Sequence, residues 1–84
     1  MHEMSLALEV CRLAEEQVGL DALPRVCTLG LEVGQGSGVA VENLAFCLEA
    51  LLTSPPFGEA RAVIQRTEGA GVRLQWLEIE DVTP

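Results

Sequence analysis

Two segments of the chain carry hydrophobic residues at helical spacing. Between residues 4 and 19 the apolar side chains recur every three or four positions, while the charged side chains fall largely on the opposite face. This pattern predicts an amphipathic helix over residues 4–19, which Gly19 would end. A second stripe predicts another helix over residues 39–53, ended by Pro55, Pro56 and Gly58. That stripe consists of Val41, Leu44, Ala45, Leu48, Leu51 and Leu52.

Three other segments alternate between apolar and polar residues, which is the period of a β-strand. They are residues 25–34, 60–66 and 72–80. In the last of them the alternation runs through Trp76 and then shifts by one position, which predicts a bulge near residues 75–77. Residues 20–24 form a polar connection that ends in proline, and residues 67–71 form a glycine-rich turn.

The element order is therefore helix, strand, helix, strand, strand, within one domain that covers residues 1–84. This order predicts an α/β (α+β) fold with a small three-stranded sheet and two helices on one face. Because a short glycine-rich turn joins the last two strands, we expect them to pair as an antiparallel hairpin. The first two strands are joined by a helix, which favours a right-handed crossover if they are parallel.

The composition excludes several classes of function. The chain has five Lys+Arg and 13 Asp+Glu, and its net charge of -8 argues against binding to nucleic acid or an anionic membrane. No run approaches the roughly 18–20 apolar residues of a membrane span, and no signal peptide is recognised. The cysteines form no CxxC motif and are expected to pack in the core of a cytoplasmic protein; they are Cys11, Cys27 and Cys47. No pair of nucleophile and base is found, so an enzyme is not predicted.

The start of the chain, Met1-His2-Glu3, is the strongest candidate for specific chemistry. Met1 should be retained, because its removal requires a small second residue. The Met1 amine, the amides of His2 and Glu3, and the His2 imidazole then supply enough nitrogen for a planar Ni(II) or Cu(II) site. The first amides of a helix have no intrahelical acceptor, so a metal can displace their protons, and binding should weaken in acid. The alternative is that His2 is a solvated terminal residue and Glu3 an ordinary first-turn acid.

Four blocks of sequence, residues 1–7, 31–34, 37–47 and 72–80, resemble the HypA/HybF family of hydrogenase nickel-insertion proteins. Residues 1–7, MHEMSLA, are similar to the opening of the family, and residues 31–34 are similar to its first strand. Residues 37–47 are similar to its second helix and the loop before it, and residues 72–80 are similar to its closing strand. The resemblance implies a nickel-binding, metallochaperone-like accessory protein for maturation of [NiFe] hydrogenase. Its metal ligands would come from His2, Met1 and Glu3, and its cofactor would be Ni(2+).

The resemblance also implies partners. They are the hydrogenase large-subunit precursor, which would receive the metal, and a nickel-chaperone GTPase. Independently of the family, the acidic surface would attract a basic partner surface. Assembly into a homo-oligomer is left open by the sequence.

Two departures from the family pattern leave a second function open. Family members carry a zinc-binding module with paired CxxC motifs between the last two strands, where this chain has only the turn at residues 67–71. No zinc site is therefore expected. Ala40 stands where the family usually has an acidic residue close to the nickel site, and alanine has no metal-binding atom. The alternative function is a protein-interaction scaffold that kept the fold but lost effective nickel binding, and a regulatory or enzymatic domain unrelated to nickel is a third hypothesis.

Overall fold

The computed structural model describes residues 3–80. The helices are α1, Glu3–Val18, and α2, Val41–Leu52, and the strands are β1, Val26–Gly34, β2, Arg61–Thr67, and β3, Val72–Ile79. Every predicted helix and strand is confirmed, with ends no more than two residues from those expected. None of the helices formed by residues 3–80 has the length and hydrophobicity that a transmembrane segment requires.

The strand β1 lies in the middle of the sheet, in the order β2-β1-β3. It pairs in parallel with β2, which the connecting helix α2 allows, and antiparallel with β3. The predicted hairpin between β2 and β3 is therefore wrong, since these strands lie on opposite sides of β1. The most apolar strand takes the central position, where its backbone and side chains are most thoroughly buried.

The turn between β2 and β3 crosses the end of β1. The Gly34 N–H donates to the carbonyl of Gly71 (2.8 Å), and the Gly36 N–H donates to the carbonyl of Gly69 (3.1 Å). Strands on either side of a central strand lie about 10 Å apart, which the four residues 68–71 can span. The loop between β2 and β3 is thus short although these strands do not pair with each other. Its carbonyls accept hydrogen bonds from the segment that it crosses.

The register of β3 confirms the predicted bulge and changes the face of Trp76. Gly30 pairs with Trp76 whereas Leu31 pairs with Leu74, so Gln75 is the extra residue. Trp76 consequently lies on the sheet face away from the helices and is 45% exposed, instead of sharing the face of Leu74. Its indole covers Gly30, where an added Cβ would lie 2.0 Å from the ring.

A single hydrophobic core lies between the two helices and one face of the sheet. The helices therefore cover the same face of the sheet, as predicted. The largest fully buried side chains are Leu23, Leu29, Leu31, Leu44, Leu48, Leu52, Val10, Val26 and Val33. Leu23 belongs to a 3-10 segment, Leu20–Arg25, that the sequence did not predict, and Phe57 closes the core from the loop before β2.

Candidate metal centre at the start of α1

The start of α1 and the start of α2 are joined by a side-chain hydrogen bond. The Ala40 N–H donates to Oε2 of Glu3 across an N···O distance of 3.1 Å. Glu3 is the first residue of α1, and Ala40 is the residue immediately before α2. Two segments 37 positions apart in the sequence are thereby brought together.

The bond supplies α2 with a cap that its own sequence lacks. An N-cap residue usually carries a side-chain oxygen, and an acid at the third helical position often accepts from the N-cap N–H. Ala40 has no such oxygen and makes no side-chain cap hydrogen bond. The carboxylate of Glu3 accepts a hydrogen bond from the N-cap N–H instead. A residue of α1 thus takes the role that an acid within α2 would otherwise have. The positive end of the helix dipole favours a carboxylate at this place.

The loop before α2 is shaped by two further features. Gly38 adopts the left-handed conformation, with φ of 75°. A side chain there would be strained, which accounts for glycine. The Val39 N–H then donates to the hydroxyl of Ser37 (3.2 Å), and Val39 packs against the hydrophobic core. The position of Ala40 is therefore set by a packed neighbour and not only by its bond to Glu3.

Of the predicted ligands, Glu3 is described and lies at this junction, whereas Met1 and His2 lie outside the described residues. Ala40 is hydrogen-bonded to Glu3, whereas its proximity to a nickel ion stays a prediction. The acid in the first turn of α2, Glu42, is paired with Arg66 (3.2 Å). Among residues 3–80 no group of three or more His, Cys, Asp or Glu side chains is arranged to hold a metal ion.

The cysteines do not form a cluster of ligands in the described part of the chain. Cys11 and Cys47 are half-buried and pack against the core, as predicted, and burial raises the pKa of the Cys11 thiol. This shift disfavours the thiolate that a metal requires. Cys27 departs from the predicted alternation, because a register shift between Val26 and Thr28 removes it from the core face. Its thiol donates to the carbonyl of Arg25 (3.6 Å).

Exposed ion pairs occupy most of the basic side chains. They join Arg12 to Glu9 and Glu16, Arg66 to Glu42, and Arg73 to Glu32. The hydrogen bond from Arg12 lowers the pKa of Glu9. Because three of the five basic residues are engaged with carboxylates, the remaining surface charge is strongly acidic.

A groove runs between α1 and β3 and has a volume of about 570 Å³. Its lining is mainly apolar and includes Leu13, Val18, Leu74 and Trp76. No carboxylate, cysteine, serine or histidine lines it, so the groove offers no acid–base or nucleophilic group. The junction of Glu3 and Ala40 thus remains the principal candidate site.

Comparison with known proteins identifies the family. A sequence model described as "Hydrogenase/urease nickel incorporation, metallochaperone, hypA" matches residues 1–72. A hydrogenase maturation factor HypA from Chlorobaculum parvum is 38% identical over 71 residues, which are 84% of this chain and 63% of that protein. The same factor from Albidiferax ferrireducens is 41% identical over 69 residues, covering 82% of this chain and 61% of that protein.

The chain spans about three fifths of the length of these curated relatives. The family match ends at Val72, the first residue of β3, directly after the turn that crosses β1. It contains both helices, the parallel strand pair and the Met-His-Glu opening. The chain accordingly belongs to the HypA family of hydrogenase and urease nickel-incorporation metallochaperones.

Proposed function

We propose that this protein binds Ni(II) as a cargo through the Met1 amine, the His2 imidazole and the leading backbone amides of His2 and Glu3. The observation that carries the proposal is the family match, which starts at residue 1 and so includes these residues. The metal would be delivered to the precursor of a nickel enzyme, such as the large subunit of [NiFe] hydrogenase. This role is that of an accessory protein and requires no catalytic group of its own.

The backbone at the start of α1 is suited to this chemistry. Glu3 is the first helical residue, so its N–H lies before the first hydrogen bond of the repeating helical pattern. A metal can take this nitrogen without breaking the helical hydrogen bonds. The positive end of the α1 dipole opposes a bare cation, but deprotonated amides and the nearby Glu3 carboxylate offset that charge. Nitrogen donors in a plane are the arrangement that Ni(II) and Cu(II) favour.

We further propose that the turn at residues 67–71 takes the place of the zinc module of longer relatives. The family match stops one residue after this turn. The turn is bonded to the end of β1 through Gly34 and Gly36, so it closes the fold without a further domain. The domain at residues 1–84 would then be a nickel-binding unit without a zinc site.

The acidic surface supports proposed partners of opposite charge. With a net charge of -8, the protein would associate fastest with a basic surface. A nickel-chaperone GTPase and the enzyme precursor are the proposed partners, in the cytoplasm. Long-range attraction of this kind weakens with salt, so the association rate should fall as ionic strength rises.

Replacing the only histidine should weaken nickel binding strongly. In His2→Ala the imidazole is lost while the amine and amides remain, so we expect Kd for Ni(II) to rise about a hundredfold, or roughly 2.7 kcal/mol. The measurement is isothermal titration of NiCl₂ into untagged protein whose chain starts at Met1. The fold should be unaffected, because α1 packs through Ala7, Val10 and Ala14.

The same titration separates nickel delivery from the alternative of a protein-interaction scaffold. Equal heats for the wild type and His2→Ala would contradict nickel binding through the chain start. They would favour the scaffold that kept the fold but lost the metal. A change confined to His2→Ala, with an unchanged circular dichroism spectrum, would support the metallochaperone.

A further inference from the structure

We propose that the outer edge of β3 is a docking surface for a second copy of this chain. Within residues 3–80, β3 pairs with β1 on one side only and is the last strand in the order β2-β1-β3. Its other side therefore presents backbone N–H and C=O groups that a further strand can pair with. Two copies related by a twofold axis would form one continuous sheet with three strands from each copy. The inference goes beyond the proposed function and needs no metal.

The sequence of β3 is complementary to itself when two copies run in opposite directions. Val72–Ile79 reads VRLQWLEI, and the centre of an antiparallel self-pairing falls between Gln75 and Trp76. The four kinds of cross-strand pair are Val72 with Ile79, Arg73 with Glu78, Leu74 with Leu77, and Gln75 with Trp76. Each charged side chain thus meets the opposite charge on the second copy, and each aliphatic side chain meets another aliphatic side chain. Pairs of both kinds stabilise antiparallel strands.

The bulge in β3 places the paired residues on matching faces of the sheet. Arg73 and Glu78 are five positions apart, so a regular strand would place them on opposite faces. In the structure Arg73 donates to Glu32 (3.1 Å), and Glu78 accepts from the Thr28 hydroxyl (3.1 Å). Glu32 and Thr28 are four positions apart in β1 and share a face, so their partners on β3 also share one. Both copies carry the same bulge, so the self-pairing stays in register on both sides of its centre.

The groove between α1 and β3 follows the same edge of the sheet. Its lining includes Leu13 of α1 together with Leu74 and Leu77 of β3. A second β3 strand would cover this apolar surface while it pairs with the edge. The net charge of -8 opposes the approach of two copies, but the groove is lined by a single charged residue, Arg73. Repulsion between the copies is therefore not concentrated at this edge.

The opposite edge of the sheet lacks such complementarity. The strand β2 reads RAVIQRT and carries Arg61 and Arg66 but no carboxylate. A second copy at that edge would bring arginines together with no acid on the strand to offset them. The dimer at β3 leaves this edge outside, so the assembly closes at two copies.

Reversing one charge of the pair should weaken the dimer. Edge pairing over one strand makes a small interface, so we expect the wild type to dimerise with Kd of about 10 μM. In Glu78→Arg each strand carries two arginines, and in Arg73→Glu it carries two glutamates, so either homodimer brings like charges together. We expect Kd of the dimer to rise about thirtyfold in each variant. Sedimentation equilibrium of untagged, metal-free protein measures this change.

A mixture of the two variants provides the decisive comparison. In a mixed dimer the arginines of Glu78→Arg lie opposite the glutamates of Arg73→Glu, so the affinity should return to about the wild-type value. Arg61→Glu on β2 is the matched control for the change in charge and should leave Kd unchanged. Circular dichroism confirms that every variant is folded.

Three results would overturn the inference. One is a wild type that stays monomeric up to about a hundredfold above the expected Kd. Another is a dimer of equal affinity in all variants, which would mean that the copies associate through a different surface. The third is a mixture that stays monomeric although both variants are folded. Because the measurement is made without metal, failure to bind nickel would refute the proposed function alone.

Discussion

Nickel binding should be lost when the amine of Met1 is blocked by an N-terminal extension that contains no histidine. The extension converts the amine into an amide within the chain, which removes a strong donor and opens the chelate at its first atom. It also places peptide where the metal would approach the start of α1, next to the bond between Glu3 and Ala40. We expect Kd to rise by about a thousandfold or more, which corresponds to roughly 4 kcal/mol.

Titration with NiCl₂ and the d–d spectrum of the loaded protein measure this effect. The matched control carries the same extension after Pro84 and should bind nickel like the untagged protein. A second control uses a protease that leaves Met1 as the first residue, and cleavage should restore both the affinity and the spectrum. Unchanged affinity in the N-terminally extended protein would show that the amine is not a ligand. The intact mass must confirm that Met1 is retained.

The helices and strands of this fold are predictable because apolar residues repeat along each segment at the period of its own secondary structure. Leu48 of α2 and Leu31 of β1 are buried as expected. The stripe of α1 is buried only in part, because Ala14 lies in the core whereas Met4 and Leu8 are exposed. These signals are local, since the side chains of one element must face one core. Buried residues of irregular segments leave no such signal. Leu23 and Phe57 are buried because of where the chain turns, and their neighbours do not repeat.

The pairing of strands depends on contacts between distant segments, and the pairing predicted from the sequence was wrong. A short glycine-rich turn usually indicates a hairpin. Here β3 pairs with β1 because β1 is the apolar strand with two open edges, and the turn is long enough to cross it. The position of the bulge was correctly expected near Gln75. Its consequence for Trp76 required the register, since the extra residue reverses the face of the side chain.

The sequence proposes ligands for the candidate site, and that prediction stays untested, but the sequence does not predict the contact between the starts of the two helices. An amine, an imidazole and two backbone amides can be proposed as donors from the letters Met1-His2-Glu3, and the family resemblance supports the proposal. The bond from Ala40 to Glu3 joins residues 37 positions apart and has no sequence signature. Alanine at position 40 suggests only a missing ligand. With the fold known, the same alanine explains why an acid from α1 is needed at the start of α2.

Replacing Gly34 with alanine should destabilise the fold more than any other glycine substitution in the turn region. A Cβ at Gly34 would lie 2.1 Å from the carbonyl oxygen of Gly69, a backbone atom that cannot move as a side-chain tip would. Relief of this clash requires the turn to lift from β1, which breaks the bonds from Gly34 to Gly71 and from Gly36 to Gly69. We expect the free energy of unfolding to fall by about 3 kcal/mol, as for overpacking combined with lost hydrogen bonds.

Urea denaturation followed by Trp76 fluorescence measures the change, and Gly71→Ala is the matched control. Nothing lies within 4 Å of a Cβ added at Gly71, so that variant should differ from the wild type by about 0.5 kcal/mol or less. The contrast between two glycines bonded to each other isolates the contact between the turn and β1. Equal unfolding midpoints for both variants would mean that the turn does not hold the strands on either side of β1. A large difference would mean that four residues complete the sheet at the place where longer relatives are proposed to carry a second module.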